Sequence, residues 1–137
     1  MIEQAIRAYL AGQVSVTNLI STRIYYVTAP QLSAQSTDAY LVIQKVSLSP
    51  SHVFGGDSGH NQARIQLTAV GKTYAESKAI ITAIKALFKS YIYGTDTKMG
   101  SVLWVQAVNI DNEIDLPFGI DDERFATILD CIFFFKE

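Results

Sequence analysis

The stretch TYAESKAIITAIKALFKSY, Thr73–Tyr91, decides how the rest of the chain is read. Thr73 and Glu76 stand in the T-x-x-E relation of a capping box, in which each side chain satisfies a backbone donor that the first turn leaves unpaired. Gly71 and Gly94 punctuate the two ends. Ile80, Ile84, Leu87, Phe88 and Tyr91 recur at three- and four-residue steps, which makes one apolar stripe in need of a surface to cover. Glu76, Lys78, Lys85 and Lys89 mostly take the other face. The pattern predicts a long amphipathic helix, and the alternating segments on either side of it are the natural surface.

Working outward, Met1 to Ala11 reads as a first helix with Ile2, Ala5, Ile6, Tyr9 and Leu10 on its apolar face and Gly12 as its stop. Val14 to Leu19 is ambiguous, because Ser15, Thr17 and Asn18 suit caps and turns better than helix interiors. Arg23 to Val27 predicts a short strand that ends before Ala29-Pro30, and the polar run Gln31 to Asp38 predicts a surface loop. Ala39 to Leu48 and Ala63 to Val70 predict two strands. In the second, Ile65, Leu67 and Ala69 alternate with Arg64, Gln66 and Thr68, the pattern of a sheet with one covered and one wetter side.

The segment between these strands, Ser49 to Gln62 (SPSHVFGGDSGHNQ), is rich in Gly, Ser and His and longer than an ordinary hairpin connection, so it predicts a long loop. Past the helix, Ser101 to Asp111 and Arg124 to Lys136 predict two more strands, the last with apolar bulk for both faces at Phe133-Phe134-Phe135. Asn112 to Glu123 predicts a second long connection. Adjacent pairs of strands flanking a helix imply an α+β fold: a mostly antiparallel, mixed sheet of four to five strands with two helices packed on one face. Residues 1–137 read as a single domain.

Composition narrows function. The chain is 49% apolar and 18% charged with a net charge of −2, which is globular and lacks the basic stripe a duplex-binding module needs. A lone cysteine, Cys131, excludes an intrachain disulfide framework and fits a reducing site of folding. No leader pattern opens the sequence and no apolar run approaches the ~18 residues of a membrane helix, so the expectation is a soluble protein.

Catalytic motifs dissolve on inspection. Gly56-Asp57-Ser58-Gly59 matches the nucleophile motif of chymotrypsin-like proteases, but the chain is too short for their two-barrel scaffold, and the upstream histidine, His52, lies in the same segment. Small polar residues in a Gly-rich segment arise readily for turn reasons. His52, Asp57 and His60 lack the tight pairs and further ligands of a zinc site. Asp111, Glu113 and Asp115 open like a calcium loop, but Leu116 and Asp122 occupy the places that need Gly and Glu. No catalytic residue, metal ligand or cofactor site is predicted.

The acidic connection remains. Asp111, Glu113, Asp115, Asp121, Asp122 and Glu123 carry six of the thirteen acidic residues within thirteen positions, interleaved with Ile114, Leu116, Phe118 and Ile120. Two readings stay open: a solvated loop that also lids its own core, or a docking element that meets a partner.

The opening MIEQAIRAYLAG…LISTRIYY, the strand AYLVIQKVS, the RIQLT strand running into GKTYAESKAIITAIKALF and the D-x-E-x-D run before a closing FFFKE resemble the tail terminator, or tail-completion, proteins of long-tailed bacteriophages, prophages and gene transfer agents. The resemblance implies a mixed, largely antiparallel sheet with helices on one face and no catalytic residues. It also implies a structural virion protein at the head-proximal end of the tail, assembled in the bacterial cytoplasm. The partners it implies are further copies in a hexameric ring, the tail tube protein and the head–tail connector or head-closure protein. The resemblance further implies no specific recognition of nucleic acid, with a ring lumen that DNA could pass through, and no membrane partner. The long segments then supply contacts to a neighbouring subunit or the tube through His52, Phe54, Asp57, His60, Asp111, Glu113, Asp115, Phe118, Asp121 and Asp122. Two alternatives are a different head–tail joining component, such as a head-closure protein, and a small ligand-binding domain with a pocket near Tyr25, Tyr26, Tyr40 or Trp104.

Overall fold

In the computed structural model the described residues are 2–21, 23–26, 39–53, 56–89, 99, 104–116 and 125–136; positions 50–53, 56–60, 104, 106 and 116 are described by their backbone. The elements run α1 (Ile2–Ala11), α2 (Val14–Ile20), β1 (Ile24–Tyr26), β2 (Tyr40–Val53), β3 (Gly56–Gly71), α3 (Tyr74–Lys89), β4 (Trp104–Leu116) and β5 (Phe125–Lys136). The five strands form one sheet in the order β1-β2-β3-β5-β4. β1 runs parallel to β2, and every other neighbouring pair is antiparallel. The α+β, mixed-sheet expectation holds, with a third helix added.

That extra helix is α2. Its Ser and Thr residues are poor helix formers, but Val16 and Ile20 are buried, so tertiary packing outweighs weak local preference. It ends at Ser21, whose φ of 54° places a non-glycine residue in the left-handed region, with its N–H donating to the Thr17 carbonyl at 2.8 Å. The parallel β1–β2 register is then pinned from the side. Leu41 N–H donates to the Arg23 carbonyl at 2.9 Å, and Arg23 Nε donates to the Ala39 carbonyl at 2.7 Å.

The capping box at α3 forms with one refinement. Thr73 Oγ1 accepts from Glu76 N–H at 3.2 Å, while Glu76 Oε2 reaches back past the cap to accept from Lys72 N–H at 2.8 Å. The helix can fold this close to the end of β3 because residue 71 is glycine: a Cβ there would sit 2.8 Å from Glu76 Cβ. Ile80, Ile84 and Phe88 are buried as the stripe predicts, and Ser77 and Ile81 join them. α3 ends at Lys89, and Tyr91 lies outside the described residues.

Side chains from all three helices form one core with alternate residues of β2, β3 and β5. Leu41 and Ile43 meet Ile65, Leu67 and Ala69, which meet Leu129, Cys131, Phe133 and Phe135. Phe88 and Phe133 close edge to face, ring centroids 5.4 Å apart. The other face of the sheet carries a smaller cluster of Tyr40, Val70 and Ala126, with Tyr25 and Val42 against it.

Candidate assembly surfaces

The segment Ser49–Gln62, expected as a loop, is a hairpin arm. β2 and β3 stay paired through Ser49↔Gln62, Pro50↔Asn61, His52↔Asp57 and Val53↔Gly56, with an irregularity between Pro50 and His52. The turn-like composition misled because ladder hydrogen bonds are made by the backbone, whatever the side chains. β5 accompanies β3 as far as His60↔Lys136, and β1 accompanies β2 as far as Tyr26↔Ile43. From Gly59 to Gly56 the ribbon is therefore two strands wide and extends beyond its neighbours by about 13 Å. A two-stranded ribbon standing alone in water is marginal, so an arm of this kind gains from a partner.

The register sets His52 opposite Asp57 near the tip, while His60 stands opposite Lys136 at the base of the arm. Ser58 sits within the extended strand β3. Phe54 lies outside the described residues, as do Phe118, Asp121 and Asp122.

The first half of the acidic connection is a strand as well. Asp111 to Leu116 continues β4, paired through Glu113↔Leu129 and Asp115↔Thr127. A bulge between Ile110 and Asn112 turns Asp111 toward the sheet face away from the helices, where its Oδ2 accepts from Arg64 Nη1 at 2.8 Å across β5. Glu113 and Asp115 point to α3 instead. Lys78 Nζ lies 3.1 Å from Glu113 Oε2 and 3.3 Å from Asp115 Oδ1, and Lys85 Nζ lies 3.1 Å from Glu113 Oε1. Tyr74 OH donates to Asp115 Oδ2 at 2.9 Å, and Thr127 Oγ1 donates to Oδ1 at 3.1 Å. Lys78 and Lys85 of the outer helix face are thus answered within the chain.

The electrostatics follow these contacts. Partial burial acts to raise the Glu113 carboxyl, but the ammonium groups of Lys78 and Lys85 outweigh it and hold it below its ordinary range. The Tyr74 hydroxyl, ahead of Lys78 and Thr127, holds Asp115 low, and the same bond raises Tyr74. The bond to Glu113 raises Lys78. Lys78, Lys85 and Tyr74 were the residues missed as part of a site. The signal for them was the even spacing of 111, 113 and 115, which suits a strand, and two lysines seven apart on one helix face.

A cleft of about 370 Å³ lies between α2 and α3, lined by Asn18, Leu19, Arg23, Ala39 and Glu76 among others. Arg23 Nε and Glu76 Oε2 are both engaged by backbone groups there, so they serve the fold. Tyr25 and Tyr40 contact each other at 6.1 Å in the minor core, and Tyr26 is exposed.

This architecture is a known one. A chain from the virion of a native gene transfer agent particle matches it with a TM-score of 0.75, covering 99% of this chain and 95% of that one at 12% identity. At that identity the likeness is one of fold. Among curated proteins, none matches the sequence. The family described as Tail completion protein gp17 matches residues 4–91, more than half the chain, and the protein belongs to that family. It is a structural protein of the bacteriophage tail, located in the virion. The match spans α1 through α3 and so includes the arm and the capping box.

Proposed function

We propose that copies of this chain close into a hexameric ring on the head-proximal end of the finished tail tube, stop its polymerisation and present a surface to the head connector. Family membership supports a role in completing tails, and the observation that carries the finer reading is the arm. A ribbon two strands wide in a virion protein supports a contact role, with His52 and Asp57 near its tip meeting a tube subunit or a neighbouring copy on this reading. Phe54, Phe118, Asp121 and Asp122 belong to the same proposed contacts. Asp111, Glu113 and Asp115 contribute by fixing β4, since their carboxylates are held inside the chain.

Electron microscopy of particles lacking the protein tests the reading. Overlong tails are expected; tails of normal length beside unjoined heads would assign the protein to head closure instead. Deleting Phe54 to Gly59 shortens the arm without touching the β3–β5 pairs that begin at His60. That variant should fold and fail to cap tubes, and infectious particles with tails of normal length would remove the arm from the mechanism.

A further inference from the structure

Among the described strands the sheet ends at β1 and β4, and two stretches of edge match. Among the described residues, β1 is the strand beside β2 and its pairing stops at Ile43, so the β2 edge from Gln44 onward has a neighbour on the β3 side alone. At the far end of the sheet β4 is terminal, with β5 on its inner side. Unpaired edges normally invite any strand, and bulges restrict them to short registers. Both edges here are bulged in that way. β2 is irregular between Lys45 and Ser47 and between Pro50 and His52, and β4 between Val105 and Ala107 and between Ile110 and Asn112. Between its two bulges each edge holds a regular window, Ser47–Pro50 on β2 and Ala107–Ile110 on β4, and β4 is regular again from Asn112 to Leu116.

Following the register across the sheet puts those windows at one height. Leu48 stands opposite Ala63, Ala63 opposite Phe133, and Phe133 opposite Val108. The polarity also agrees. β2 is antiparallel to β3, β3 to β5 and β5 to β4, so a second copy set beside the first in the same orientation brings its β2 antiparallel to β4. The side chains agree as well. Leu48 shares the Ala63 face, the face of the main core, yet is 42% exposed. Val108 and Ile110 are partly buried on that same face, packed against the main core at its β4 end. A neighbouring Leu48 would cover them.

We infer that the β2 window of one copy pairs with the β4 window of the next, continuing the sheet between subunits with Leu48 set against Val108. The two patches differ, so the contact is head-to-tail and propagates to a closed ring or an open filament, unlike a two-fold dimer. The inference rests on the reading that copies assemble at the tail end, and it assigns the lateral contact to these edges while leaving the arm tip for the tube.

Cysteine pairing in assembled particles tests it, since directly opposed strand residues have Cβ atoms about 4.5–5.5 Å apart. Cys131 is fully buried and gives no background. Particles carrying L48C and V108C together should form a ladder of disulfide-linked multimers on mild oxidation, and either single variant should stay monomeric on the gel. Leu48→Lys should leave the melting of the isolated monomer unchanged and reduce its incorporation into tails at least tenfold. Tails of normal length that contain the double variant but show no ladder would overturn the edge pairing and leave the capping role standing. A dimer from L48C alone would replace it with a two-fold contact. If the unaltered protein never enters tails, the capping reading fails first.

Discussion

Replacing Glu113 by Gln removes the carboxylate that two lysines of α3 share, with Lys78 Nζ and Lys85 Nζ each at 3.1 Å. The side chains are 27–31% exposed, so solvent screens the pairs and each contributes about 0.2–1 kcal/mol. Gln also leaves two ammonium groups facing a neutral amide, with Asp115 still 3.3 Å from Lys78. Together these give an expected loss of roughly 0.5–2 kcal/mol, or a fall of about 2–6 °C in Tm for a domain of this size. Urea unfolding of the wild type, Glu113→Gln, Lys78→Met, Lys85→Met and the two double variants separates the pairs by their coupling energies.

The pH dependence carries the sign. Glu113 titrates below its unfolded value, so its contribution is complete above about pH 4.3 and is lost as pH falls through the depressed folded value. The gap between wild type and Glu113→Gln should hold between pH 6 and 7, begin to close only below about pH 4.3 and shrink in high salt. A variant as stable as wild type at neutral pH, with no coupling to either lysine, would show that the contacts hold nothing together.

The glycines give a paired test: Gly71→Ala must displace Glu76 at 2.8 Å and should cost about 1–3 kcal/mol by overpacking, whereas Gly12→Ala meets nothing nearer than 3.6 Å and should be neutral or stabilising by up to about 1 kcal/mol, both read from thermal melts. Ile84 is fully buried, so Ile84→Ala should cost about 2–5 kcal/mol in chemical denaturation, and Ile84→Asp should appear in the insoluble fraction on expression. Burial pushes the Cys131 thiol up to about 12, so a thiol reagent at pH 8 should modify it in urea and leave it untouched in the native protein, as mass spectrometry would record.

α3 was legible because its signals are local: a cap, a stripe and a glycine just before it act over neighbouring turns. β3 was legible over 63–70 because one face is buried and the alternation records it. The same strand from Gly56 to Gln62 was not, since its Gly, Asp, Ser, His, Asn and Gln side chains carry no apolar alternation although the backbone is paired. α2 was obscured because Val16 and Ile20 hold it from outside, against the preferences of Ser15, Thr17 and Asn18. In the acidic run the alternation of 111, 113 and 115 was visible, but the bulge that sends Asp111 to the opposite face is a property of pairing with β5. The family resemblance read from the same residues stands, and it was the route to function that motif chemistry could not offer.

The position of β5 has a temporal consequence. It follows β4 in sequence yet lies between β3 and β4, and those two strands are joined through it. While a ribosome is still delivering β5, the β2–β3 hairpin and α3 can form from nearby contacts, but β4 has no place in the sheet. Its edge, with Val108 and Ile110 in position, comes into being when Phe133 and Phe135 seal the core. On the proposed edge pairing, a nascent chain would gain its β4 edge when β5 is in place.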